Sequence, residues 1–180
     1  SDELYVFIPY DCSSLPSNKL FVSETGTESA TGTSWNEATT LKQALKIAQS
    51  CPAIEEIWVQ EGTYLPGKNP TDSFLIPSNI KIYGGFNGTE TMLSERDWTN
   101  NKTILSGDIG IPQNDIGNSE TIINIQDKEN ILIDGFIIED ANGTFDVHTN
   151  RTIDTNGGAM YISNTSNLNI INCIFRNNKA

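Results

Sequence analysis

Two stretches of this chain spell one pattern, 37 residues apart. Thr121 to Gly143 reads TIINIQDKENILIDGFIIEDANG and Gly157 to Ala180 reads GGAMYISNTSNLNIINCIFRNNKA, each a short apolar strand, a polar turn and two further short strands. Neither copy carries enough apolar surface to bury by itself, so each is stable only when stacked on its neighbour. Strand starts elsewhere carry the pattern back through the chain: Ile57, Ile80, Ile104, Ile131 and Leu168 follow one another at steps of 23, 24, 27 and 37 residues. A chain that returns every two dozen residues, with two or three short strands per return, is expected to wind a solenoid of strands rather than alternate hairpins. The longer last step implies an insertion. Gly143 to Asn156 (GTFDVHTNRTIDTN) supplies it, has no apolar period, and is expected to bulge from the stack as a loop.

Polar residues fall into the same register. Asn79, Asn130 and Asn167 each stand immediately before the first apolar residue of a strand. In a parallel stack their amides would lie about 4.8 Å apart, each able to hydrogen-bond the next. Gly84 and Gly135 align where the chain must turn sharply, and Asn172 takes that place in the last repeat, as a residue tolerant of the left-handed region would. These Asn and Gly residues read as structural rather than catalytic.

Before the strands, one segment changes period. Leu41, Ala44, Leu45 and Ala48 fall at helical spacing, Thr40 and Gln43 are placed as a capping box, and Cys51-Pro52 ends the run. Upstream, Lys19 to Ser23 reads as a strand followed by a Gly/Thr/Ser loop. Ser1 to Asn18 reads as one edge strand, Leu4 to Ile8, and a Pro/Ser-rich linker.

Charge and cysteines narrow the function classes. Eleven Lys and Arg against twenty-three Asp and Glu give a net charge of −12, which repels nucleic acid. No stretch reaches the roughly 20 apolar residues that span a bilayer, so no membrane span is expected in this chain. Cys12, Cys51 and Cys173 are too far apart in sequence for a zinc-ligand spacing. Cys12 and Cys51 either bridge the N-terminal region or stand as two free thiols, and Cys173 reads as a small buried hydrophobe.

The run LFVSETGTESATGTSWNEATTLKQALKIAQS followed by EEIWVQEGTY resembles the N-terminal part of bacterial secreted right-handed parallel β-helix proteins with a pectin-lyase-like fold. The similarity continues through IKIYGGFNGTE, LSERDW and TILSGDIG, which look like the first coils of surface proteins of the Bacteroidetes type. GGAMY at Gly157 to Tyr161 and FRNN at Phe175 to Asn178 are similar to the repeats of chlamydial polymorphic outer-membrane adhesins, with Met160 in the aliphatic place. The fold this implies is all-β, a right-handed parallel β-helix (solenoid) with an N-terminal capping α-helix. Residues 1–18 would be an extension and linker, and residues 19–180 the cap and first coils. The helix at Thr40 to Ser50 would cap the first coil, whose end otherwise exposes an apolar lumen and unpaired backbone. The resemblance also implies a longer protein, with further coils and a surface anchor or type IX secretion signal beyond Ala180.

Repeat motifs specify the coil and not the activity. β-Helix polysaccharide lyases need carboxylates for calcium or a uronate, plus a basic residue. The acids on or beside coils are Asp97, Asp108, Asp115, Asp134, Glu139 and Asp140, and Glu95-Arg96-Asp97 is where acid and base cluster, reading as a surface ion pair beside Trp98. Asp134 and Asp140 are expected at different corners of one coil, so no carboxylate pair suits glycoside hydrolysis. No catalytic residue and no metal ligand is assigned, and no cofactor is expected; calcium has no motif behind it. Trp58 and Tyr83 alternate with inward Ile57, Val59 and Ile82, so both point outward. With Tyr64 and Trp98 they form either a stacking strip for sugars or rings covered by loops. His148 reads as a solvated side chain in the insertion, and the N-x-T/S sequences at Asn87, Asn101, Asn142, Asn150 and Asn164 as chance in an Asn- and Thr-rich chain.

The favoured reading is a non-catalytic, secreted or cell-surface bacterial protein, an adhesin or display stalk. Its expected partners are glycans or host-surface molecules and the secretion machinery. The alternatives are the N-terminal part of a carbohydrate-active enzyme, polysaccharide lyase or hydrolase, and a secretion cargo or assembly subunit.

Overall fold

A computed structural model of the chain describes residues 10–111, 117–143 and 158–180. The sequence readings at Leu4 to Ile8, Asp115, His148, Asn150 and most of the Gly143 to Asn156 insertion lie outside the described residues.

The chain enters through a 3-10 turn (Cys12–Ser14), strand β1 (Lys19–Val22), a second 3-10 turn (Trp35–Glu37) and helix α1 (Leu41–Ser50). Eleven further strands follow: β2 (Glu56–Gln60), β3 (Gly62–Tyr64), β4 (Phe74–Leu75), β5 (Ile80–Phe86), β6 (Thr103–Ser106), β7 (Ile123–Gln126), β8 (Glu129–Asp134), β9 (Phe136–Glu139), β10 (Met160–Ser163), β11 (Ser166–Ile171) and β12 (Ile174–Arg176). All pairings between them are parallel. They build a first sheet in the order β1-β2-β5-β8-β11, a second of β3-β6-β9-β12 and a third of β4-β7-β10.

This arrangement corrects the closed right-handed parallel β-helix expected from the sequence. Among the described residues the strands form three separate parallel sheets of five, four and three strands beside one α-helix, and no closed solenoid is shown. The regular step of two dozen residues fails for a definite reason: Ile104 lies in β6 of the second sheet, beside Thr63 and Ile137, and not in the sheet of Ile57 and Ile80. Within the first sheet Leu20 lies beside Ile57, Ile57 beside Ile82, Ile80 beside Ile131 and Ile131 beside Leu168, returns of 37, 25, 51 and 37 residues. The long return is occupied by two insertions, after Phe86 and after Ser106. The 37-residue repeat itself holds in all three sheets, with Met160 beside Ile123, Leu168 beside Ile131 and Ile174 beside Ile137.

The inward residues of the sheets meet in one apolar core. Alternation places Ile57 and Val59 of β2, Ile131 and Ile133 of β8, and Ile123 and Ile125 of β7 inside, all at most 2% exposed. A void of about 10 Å³ where Leu41 of α1 meets Phe74, Leu105 and Ile133 from the three sheets is at the lower limit for one water and is lined by apolar side chains alone. Helix α1 packs on β1 and β4 through Leu41, Ala44, Leu45, Ile47 and Ala48. The Thr40 hydroxyl accepts from the Gln43 N–H at 3.1 Å, which is one half of the expected capping box. Cys12 is bridged to Cys51, the residue that ends α1, with Cα atoms 5.6 Å apart, so the bridge alternative is the one found. Residues 10–18 are therefore docked rather than a free linker: Tyr10 and Leu15 pack against the core, and the Asn18 carbonyl accepts from the N–H groups of Glu55 and Glu56.

The asparagine register is observed. Asn130 Nδ2 donates to Asn79 Oδ1 at 2.9 Å and Asn167 Nδ2 to Asn130 Oδ1 at 2.7 Å, and the three residues have φ of 59°, 56° and 50°. Gly84 lies inside β5 rather than at a sharp turn, and a side chain there would put its Cβ 2.6 Å from the Gly135 carbonyl oxygen, so close backbone approach excludes one. Asn172 follows in the last repeat at φ 52°, its amide donating to Asp134 Oδ1 at 2.8 Å. Cys173 is a free, half-buried thiol against the core, and burial raises its pKa above the usual thiol value.

Candidate functional site

The first sheet carries the residues that the sequence offered for ligand binding, and they are not accessible. Trp58 and Tyr83 point away from the main core, as alternation requires, but they are 1% and 7% exposed and form a second apolar cluster with Phe86. Trp58 stacks on Phe86 with ring centres 4.6 Å apart, and Phe21 meets Trp58 edge-on at 5.7 Å. Trp35, brought over by the 3-10 turn, closes the cluster against Phe21 and Phe86. Its indole N–H donates to the Glu90 carbonyl at 2.9 Å, tying together the loops on either side. The sugar-stacking strip at Trp58 and Tyr83 is therefore corrected: loops cover both rings. Tyr64 faces the main core, its hydroxyl donating to the Gln60 carbonyl and its pKa pushed far up, first by burial and then by the nearby Glu24 carboxylate. Trp98 remains partly exposed.

The acid and base cluster also resolves into structure. Arg96 pairs with Asp134 and not with its sequence neighbours; it also donates to the Gly84 carbonyl at 3.1 Å and lies over the Tyr83 ring at 5.1 Å. Glu95 accepts from the N–H groups of Met92 and Thr91, and Asp97 from the Thr99 hydroxyl and the Asn100 side-chain amide, each closing a turn. These bonds hold both carboxyls below their usual range. Asp140 shifts the other way, pushed up chiefly by burial and then by Glu139. No group of three or more His, Cys, Asp or Glu able to hold a metal ion occurs among the described residues.

An open concave surface lies on the third sheet, at residues the sequence reading did not select. Ile123 and Ile125 point inward and are 1% and 0% exposed, so Asn124 and Gln126 point outward. Parallel pairing sets Leu75 of β4 beside Asn124, and Asn124 beside Tyr161 of β10. The segments before β4 and β7 raise a rim around this face. They are held by Glu120 N–H to the Pro70 carbonyl at 2.7 Å and by Ser73 Oγ to the Thr121 carbonyl at 2.6 Å. The result is a cleft of about 260 Å³ lined by Thr71, Ser73, Glu120, Thr121, Asn124, Gln126 and Tyr161. Gln126 Nε2 donates to Asn124 Oδ1 at 2.9 Å, so the two amides are oriented before any ligand arrives.

A second cleft of about 170 Å³ shares Ser73 with the first. Its walls are Leu75 and Ser73 on one side and Lys42, Leu45, Lys46 and Gln49 of α1 on the other. Taken together across Ser73, the two clefts make a groove-like surface of small-ligand scale, about 300 Å³ upward. One end holds a phenol ring, two amides, hydroxyls and a carboxylate; the other holds an apolar floor with two ammonium groups. Nothing in local sequence marks this site, because Thr71 to Leu75, Glu120 to Gln126, Tyr161 and α1 meet only through strand pairing.

No family model, curated protein or solved structure matches this chain. No helix among the described residues is long and apolar enough to cross a membrane.

Proposed function

We propose that this protein is a non-catalytic, extracellular bacterial surface protein, an adhesin or display stalk, that binds glycan through the groove on its third sheet. The observation that carries this reading is the cleft around Tyr161: a ring, two pre-oriented amides and several hydroxyls on a rigid sheet supply stacking and hydrogen bonds of the kind a sugar needs. The carboxylates of Glu95 and Asp97 are held in local turns and Asp134 in an ion pair, which favours binding over acid–base chemistry. The Cys12–Cys51 bridge supports an oxidising compartment, and the adhesin-like GGAMY and FRNN repeats support display at a surface reached through secretion machinery.

Calorimetric titration against a panel of neutral and acidic oligosaccharides, with product analysis of each mixture, tests the reading. Saturable binding with no cleavage is the expected result. Silence across the panel, or release of shorter or unsaturated products, would overturn it.

A further inference from the structure

Resting on the glycan reading of the groove, we propose that its helix end selects for an anionic sugar, with Lys42 and Lys46 holding a carboxylate or sulfate on an otherwise sparsely charged oligosaccharide. The two lysines stand one turn apart on α1 and line the same cleft, where Leu45 and Leu75 supply an apolar floor beneath them. Neither takes part in an ion pair among the described residues, where the pairs are Arg96–Asp134 and Arg176–Glu139. Asp72 lies within electrostatic reach of Lys42, and it already accepts from the N–H groups of Lys68 and Asn69 at 2.9 and 3.1 Å.

Lys42 also stands where helix physics disfavours it. It is the second residue of α1, in a first turn that contains no acidic residue, and a cation there opposes the helix dipole. A residue placed against local preference beside a cleft is where a functional demand is expected to override stability. The opposite end of the groove carries Glu120 next to Tyr161 and Asn124, which repels an anion and so orients the ligand. The anionic substituent lies at α1, and the neutral ring lies over Tyr161. Because the whole chain carries a net charge of −12, a densely charged polymer is repelled at long range, and an isolated acidic sugar among neutral ones is the class that fits.

The test is a calorimetric titration of the full chain with matched oligosaccharides on one backbone: neutral, carboxylated and sulfated. An acidic oligosaccharide is expected to bind about tenfold tighter than the neutral one, the scale of one or two charge-assisted hydrogen bonds. The double variant Lys42→Gln/Lys46→Gln, which keeps helix propensity, should erase that preference, with a melting temperature equal to or slightly above the parent's because a cation leaves the first turn of α1. If the double variant does not fold, the single variant Lys46→Gln at the exposed lysine is expected to lose part of the preference. A preference for either carboxylate or sulfate supports the proposal and identifies the source. Equal binding of neutral and acidic sugars, or a preference that survives the lysine substitutions, overturns this proposal while the glycan reading stands. Absence of binding to all three overturns both.

Discussion

The outer faces of the first and third sheets are built by the same alternation and end in opposite states. On the first sheet the outward residues are Trp58, Tyr83 and Phe86, and Trp35 and the loop bearing Glu90 and Arg96 fold down on them. On the third sheet the outward residues are Leu75, Asn124, Gln126 and Tyr161, and the adjoining segments bond to one another and stand up as a rim. Strand alternation therefore sets the direction of a side chain, while the connections decide whether it becomes a second core or a binding face. Large rings concentrated where long connections can reach them are driven under cover by the area they bury.

The largest effect that can break this contrast comes from the covered face. Trp58→Ala should cost about 4 kcal/mol of stability by denaturant unfolding, since it empties a buried stack, and should leave glycan affinity unchanged at temperatures where the variant is folded. Loss of affinity without loss of stability would return Trp58 to the role of a ligand contact.

Next comes the staple at the helix end of the groove. Replacing both Cys12 and Cys51 with Ser should cost about 4 kcal/mol, because the bridge spans a sequence separation of 39. Thermal melts of the pair variant and the parent, with and without reductant, check this; a parent insensitive to reductant would show that the staple carries no stability.

Tyr161→Ala should behave in the opposite way to Trp58→Ala. Its ring is half-buried on the open face, so stability should change by less than about 0.5 kcal/mol, while glycan affinity falls about fivefold by calorimetry. Comparable stability losses at both rings would erase the distinction between the faces.

The smallest effect is electrostatic. Asp97 accepts from the Thr99 hydroxyl and then the Asn100 amide, which hold its pKa down to about 2 from an ordinary value of 3.8. The fold thus favours the ionised form, so this contribution is complete above about pH 4 and is lost as pH falls toward about 2. Carboxyl chemical shifts followed through acid titration should show a midpoint near 2 for Asp97 and a return toward 3.8 in Thr99→Ala.

Much of the local structure was legible because it depends on neighbours in sequence or on the repeat. The helix could be read from Leu41, Ala44, Leu45 and Ala48, and the amide ladder from Asn79, Asn130 and Asn167, since each feature is a spacing. The winding was misread at Ile104, because β6 has the same apolar pattern as strands of the first sheet, and pattern alone does not say which sheet a strand joins. Whether Cys12 met Cys51 was open, as proximity in space is not written in their separation. The outward direction of Trp58 and Tyr83 was readable, but their cover depends on where Trp35 and the Asn87 to Asn101 connection settle. The groove was the least visible feature: Ser73, Asn124 and Tyr161 are ordinary polar residues until parallel pairing brings them side by side.

The most direct test is a residue-resolved NMR titration of the full chain with a glycan that binds it. The expected result is shift changes confined to the backbone and side-chain amides of Ser73, Asn124, Gln126 and Tyr161 and to α1 around Lys42 and Lys46, with the Trp58 indole N–H unmoved. Changes centred on Trp58 and Tyr83, with the third sheet silent, would contradict the assignment of the open face as the binding surface.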